Sequence, residues 1–160
     1  MHRRRALTLA TAGLAAGSVA AAPAAQASDH GLKKTIVRYE KRVAPAAKAF
    51  GRADRDLENA PDTNAASKAT GDFRAGLHKF KVALVPIKTS SSIGAAAKKQ
   101  MLTAIREFDL GLVQYQKLLD QVNAGADKAS LKATFTTLNK RIKAAADDEA
   151  SALKLLRRIR

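Results

Sequence analysis

From Leu32 onward, apolar residues recur at spacings that alternate between four and three, and this period governs almost the whole chain. The first run is Leu32, Ile36, Tyr39, Val43, Ala46, Phe50, Ala53 and Leu57. The second is Ala66, Thr70, Phe73, Leu77, Phe80, Leu84 and Ile87. The third is Met101, Ile105, Phe108, Leu112, Tyr115, Leu119 and Val122, with Ile93 and Ala97 ahead of it. The fourth is Leu131, Phe135, Leu138, Ile142 and Ala145, then Glu149, then Ala152, Leu156 and Ile159. A 3.5-residue repeat means helices packed side by side with a left-handed supercoil. No stretch alternates with period two for long enough to argue a strand.

Short punctuated loops separate the runs. Asn59-Ala60-Pro61-Asp62-Thr63-Asn64 ends the first helix and offers Asp62 or Thr63 as the next N-cap. Thr89-Ser90-Ser91-Ser92 does the same before the third helix, and Asn123-Ala124-Gly125-Ala126-Asp127 supplies a glycine stop and an aspartate cap before the fourth. Loops this short turn each helix back along its neighbour. The expected fold is all-α, an antiparallel up-down-up-down four-helix bundle with helices near 30–58, 63–88, 92–123 and 127–159. Pro45 lies inside the first run, but the heptad phase passes through it, which predicts one kinked helix and not two. Pro86 lies near the end of the second run, where that helix would finish a residue or two early.

The segment before the first run reads as a leader. Arg3-Arg4-Arg5 is a basic start, Leu7 to Ala22 carries no charge, and Ala25-Gln26-Ala27 is an A-x-A cleavage site. Residues 1–27 are therefore expected to be a cleavable secretory signal peptide, with 28–160 a single exported domain, secreted or held at the cell envelope. The leader is Ala-rich with few large apolar residues, which argues against a retained anchor, and the mature chain holds no transmembrane candidate. Arg4-Arg5-Ala6-Leu7 loosely resembles a twin-arginine export signal, although most flanking residues of that pattern are missing. Composition and leader together resemble those of a secreted protein from a high-GC bacterium. The absence of cysteine excludes disulfides and a lipid-anchored N-terminus.

Charge is the second strong signal. Removing Arg3, Arg4 and Arg5 leaves 26 basic and 14 acidic side chains, a net charge of +12. In the expected bundle, the end that gathers the start of helix one and the end of helix four carries a net +9 of this. Lys33, Lys34, Arg38, Arg42, Lys98, Lys99, Lys154, Arg157, Arg158 and Arg160 are the candidate residues there for an anionic partner: a cell-wall polymer, an acidic lipid surface or an acidic protein. Sequence-specific nucleic-acid binding is not expected, because there is no Trp and nearly all Phe and Tyr fall at core positions.

Chemistry-bearing constellations are missing. There is no Glu-x-x-His pair for a di-metal bundle, and the histidines of the mature chain are His30 and His78. Met101, Tyr39 and Tyr115 sit at heptad positions and read as packing. Neither G-x-S-x-G nor a Walker loop occurs. No metal or cofactor is expected, and the chain reads as non-enzymatic.

Glu149 stands alone as an acid at a core position. Counting 18 residues from Leu131 reaches Glu149, and counting 18 back from Leu57 reaches Tyr39, so the two share a layer. A buried Tyr39–Glu149 pair is one expectation; the other is a phase shift that puts Ala146, Ala150 and Leu153 inside. Three functions follow: binding of an anionic partner through the basic end, carriage of an apolar ligand in a core lined by Phe50, Phe73, Phe80, Phe108 and Phe135, and an enzyme with an unrecognised site. A large apolar cavity would favour the carrier.

Overall fold

The structure is a computed structural model that describes residues 28–59 and 62–159. The expected leader at 1–27 and the terminal Arg160 lie outside the described residues. Among the described residues there are four helices and no strand: α1 (Asp29–Asn59), α2 (Thr63–Leu84), α3 (Ser92–Asn123) and α4 (Lys128–Leu156). This is the all-α four-helix bundle that the heptads predict. None of these helices is long and apolar enough to cross a membrane.

Each helix starts where a side-chain oxygen can take an otherwise unbonded N–H. Gly31 N–H donates to Ser28 Oγ at 3.0 Å, Ala65 N–H to Asp62 Oδ1 at 2.9 Å, Gly94 N–H to Ser91 Oγ at 3.0 Å and Ala129 N–H to Asp127 Oδ1 at 2.8 Å. Gly125, with φ of 72°, ends α3 by letting the Ala126 N–H turn back to the Gln121 carbonyl at 3.0 Å. Pro45 sits inside an uninterrupted α1. Before Pro86 the outcome differs from expectation by more than a residue: α2 stops at Leu84 rather than 88. The Lys98 ammonium then donates to the Val85 and Ile87 carbonyls, at 2.7 and 2.6 Å, which the lost helical turn leaves without backbone donors.

The heptad positions fill the interior. At the end that holds the chain start, Leu32, Ile36, Leu84, Ile87, Leu156 and Ile159 pack together, and Lys33 Nζ donates to the Ile159 carbonyl at 3.2 Å. At the other end Ala66, Tyr115, Leu118, Leu119 and Leu138 form a second cluster. Thr70, a polar residue at a core position, donates its hydroxyl to the Ala66 carbonyl at 2.7 Å. Two heptad residues are not core: Phe135 is 41% exposed and Val122 38% exposed. Phe135 therefore does not join the other phenylalanines inside. Leu138 and Ile142 of the same run do pack against α3, and Phe135 alone of these turns outward.

The four seams of the bundle are unequal. α3 and α4 lie closest, with Gly111 under Ile142; α1 pairs with α2, and α2 with α3. α1 and α4 make little close backbone contact.

Candidate ligand-binding cleft

The loose α1–α4 seam opens onto a cavity of about 420 Å³. α2 and α3 form its back wall with Phe73, Leu77, Phe80, Met101, Ala104, Ile105 and Phe108. α1 contributes Glu40, Val43, Ala44, Ala47, Lys48 and Phe50, and α4 contributes Ile142 and Glu149. The hollow exists because small residues, Ala44, Ala47 and Ala104, stand at positions where larger side chains would close it. The aromatic rings are linked: Phe50 lies 5.9 Å from Phe73 and 4.9 Å from Tyr115, and Phe73 lies 6.0 Å from Phe108, centroid to centroid. Such contacts fix the wall beyond simple area burial.

Two carboxylates face this apolar space. Glu149, the acid that the heptad phase singles out, is half-buried at the cleft, and Glu40 is half-buried on α1. Burial pushes both carboxyl groups above the usual glutamate range, and the Glu149 charge pushes Glu40 further. Glu40 Oε1 is closed off from solvent and accepts no hydrogen bond. Lys48 is the only cation on the lining and forms no ion pair with either glutamate.

The expected Tyr39–Glu149 pair does not form. The layer is right, but the residue facing Glu149 across it is Glu40, one position on. Tyr39 turns instead toward α2 and stacks on Phe80, with centroids 5.4 Å apart and planes 7° from parallel. The guanidinium groups of Arg38 and Arg42 lie 5.3 and 5.4 Å from the Tyr39 ring. A wider surface groove of about 840 Å³ runs beside this stack and is bordered by Arg42, Asp72, His78 and Lys79. It is more open to solvent than the cleft. Tyr115 is buried, and its hydroxyl is raised above its ordinary pKa first by burial and then by the Asp54 carboxylate. Among the described residues no three acidic or histidine side chains converge to hold a metal ion.

The candidate basic residues separate into groups. Lys98 and Lys99 share a hollow of about 450 Å³ between α2 and α3 with Lys81 and Arg106, with no acidic residue on its lining. Lys98 is nonetheless engaged by the Val85 and Ile87 carbonyls, and Lys33 by the Ile159 carbonyl. Arg38 and Arg42 lie on Tyr39. Lys34, Lys99, Lys154, Arg157 and Arg158 are exposed.

The signal that sequence reasoning missed is the pairing of Glu40 with Glu149. Glu40 lies one residue from a heptad position and so reads as a flank. No protein-family model, curated protein or solved structure matches the chain.

Proposed function

We propose that this is an exported, non-enzymatic helical bundle that carries a small apolar ligand in the α1–α4 cleft. The observation that carries the reading is the cavity of about 420 Å³, walled by four phenylalanines within an otherwise packed core. Small-molecule sites typically occupy about 300–1,000 Å³ and combine apolar walls with a few polar groups. Export is supported by the leader pattern of residues 3–27, and α1 begins at Asp29, two residues after the A-x-A site.

The test is a titration of the isotopically labelled chain with a neutral apolar alcohol, followed by methyl resonances. Saturable shifts are expected at Val43, Leu77, Met101 and Ile105, and Ala47→Leu should abolish them by filling the cleft. Shifts that do not saturate, or that persist unchanged in Ala47→Leu, would refute the carrier.

A second reading has its own support. The Lys81, Lys98, Lys99 and Arg106 hollow suits an anionic envelope polymer, acidic lipid or acidic protein. Retention on the cell-envelope fraction should then fall steeply with salt, and reversing charge at Lys81 and Lys99 should remove it. Salt-independent retention would exclude this reading.

A further inference from the structure

We propose that the ligand of the cleft is an apolar cation, an alkyl or aryl amine or quaternary ammonium, with its charge between Glu40 and Glu149 and its body against Phe50, Phe73 and Phe80. This rests on the carrier reading and narrows it by chemistry.

The argument begins with an unmet acceptor. Glu40 Oε1 is sealed from water and receives no donor. A buried carboxylate oxygen without a donor is costly. Among the described residues, no Lys or Arg pairs with Glu40 or Glu149. Lys48 lies two helical turns from Glu40 on α1 and lines the same cavity without bridging to either acid. The parts of α2 and α3 that wall the cleft carry no titratable group. Two carboxylates from facing helices thus converge on an apolar space, and among the described residues no cation pairs with either.

Ligand chemistry follows by comparison. A neutral molecule would fill the space and leave both carboxylate charges unopposed. A fatty-acid-type anion would bring a third carboxylate to the same mouth. An ammonium group opposes both charges, and the phenylalanine faces favour a cation further. The formal net charge of +15 repels cations at long range, so any preference for one must arise locally at this pair. A bound cation also favours the ionised carboxylates. Binding must then release protons wherever the raised carboxyls are still partly protonated, and must weaken as pH falls through that range.

The experiment is calorimetric titration of the full chain with octyltrimethylammonium, octanol and octanoate, each kept below micelle-forming concentration. One site is expected, with octyltrimethylammonium binding about tenfold or more tighter than octanol and octanoate weakest. Combining Glu40→Gln with Glu149→Gln should close the gap between octyltrimethylammonium and octanol, and a gap that stays open overturns the cation proposal. The amide keeps the shape of each side chain, and circular dichroism confirms the fold. In the unaltered chain, acidification should weaken the cation and leave octanol unaffected. Equal affinity for all three probes, or tighter octanoate, overturns the cation proposal and leaves the carrier reading standing. No binding of any probe overturns both.

Discussion

Replacing Asp29 by Ala should destabilise the bundle by about 2 kcal/mol and reverse the effect of a second substitution, Gly94→Ala. Asp29 opens α1, but its side chain belongs to the start of α3. Its Oδ1 accepts the Ser90 N–H at 2.9 Å and the Ser91 N–H at 3.3 Å, Oδ2 accepts the Ser91 hydroxyl, and its own N–H donates to Ser90 Oγ at 3.3 Å. Ser91 in turn caps α3 through Gly94. The residue is only 8% exposed, covered by the loop it binds, although it lies at the bundle's rim where little protein surrounds it. Hydrogen bonds to a charged group contribute about 1.5–3 kcal/mol, and the rim position argues for the lower part of that range. For a domain of this size the loss corresponds to a fall in Tm of about 8 °C.

The Ser91 hydroxyl, ahead of the two backbone donors and Ser90, holds the Asp29 carboxyl below its ordinary value of 3.8. A carboxyl with a lowered folded pKa gives stability that is full above the unfolded pKa and disappears as pH falls through the folded one. The gap in Tm between the unaltered chain and Asp29→Ala should therefore hold from neutrality to about pH 4 and close below it. Gly94 makes the test sharper. A Cβ on Gly94 would collide with the Asp29 carboxylate, so Gly94→Ala should destabilise the unaltered chain. With Asp29 already Ala, the collision is gone and the helix preference for Ala over Gly, about 1 kcal/mol, should make the same change stabilising. Thermal melts of the four proteins by far-UV circular dichroism read all of this. Additive effects of the two substitutions, or an Asp29→Ala melt that coincides with the unaltered chain at pH 7, would refute the reasoning.

Glu40→Gln should stabilise the ligand-free protein at pH 7, because it removes a carboxylate whose burial and proximity to Glu149 disfavour ionisation. A raised folded pKa lowers stability only above the unfolded pKa, so the gain should vanish as pH falls below the ordinary value of 4.5, as urea titrations at several pH values would show. Phe80→Ala should cost about 3–5 kcal/mol, since Phe80 is buried and stacks on Tyr39, whereas Phe135→Ala should stay within about 1 kcal/mol; equal losses would mean that Phe135 is core after all. Lys98→Met should destabilise by about 1–2 kcal/mol through the Val85 and Ile87 carbonyls, while Arg157→Met and Arg158→Met leave Tm nearly unchanged. If all three melted alike, Lys98 would be a surface charge and not the cap of the α2 end.

The heptad pattern made the bundle legible because burial in a helix follows one angular rule, and Leu32, Phe73, Met101 and Leu138 all obey it. It also placed Glu149 in a layer with the middle of α1. Periodicity alone could not give how far apart two helices stand. That distance depends on side-chain volume at facing positions, summed over both helices. It also could not show that Asp29 leaves its own helix to bind the loop before α3, since that contact spans 62 residues at Ser91. The same limit hid Lys98, which reads as one of several surface charges until α2 is seen to stop at Leu84.

The open seam is a consequence of how volume is distributed around the ring of helices. On the α1 face toward α4, Ala44 and Ala47 occupy the middle, with Glu40 before them and Lys48 after. On α4 the facing residues are Ile142 and Glu149, a little under two turns apart. The alanines on α1 leave Ile142 without a large apolar partner at the middle of the seam, and two acids repel across the gap. The neighbouring seam holds α3 close to α4, where Gly111 lets Ile142 approach. Both ends of the bundle are sealed by large apolar side chains, so the looseness is confined to the middle. A bundle built only for stability would place Leu or Ile at Ala44 and Ala47 and an apolar residue at Glu149. Filling both alanines should accordingly raise Tm, and on the carrier proposal it should remove ligand binding at the same time; a higher Tm with binding intact would refute that proposal.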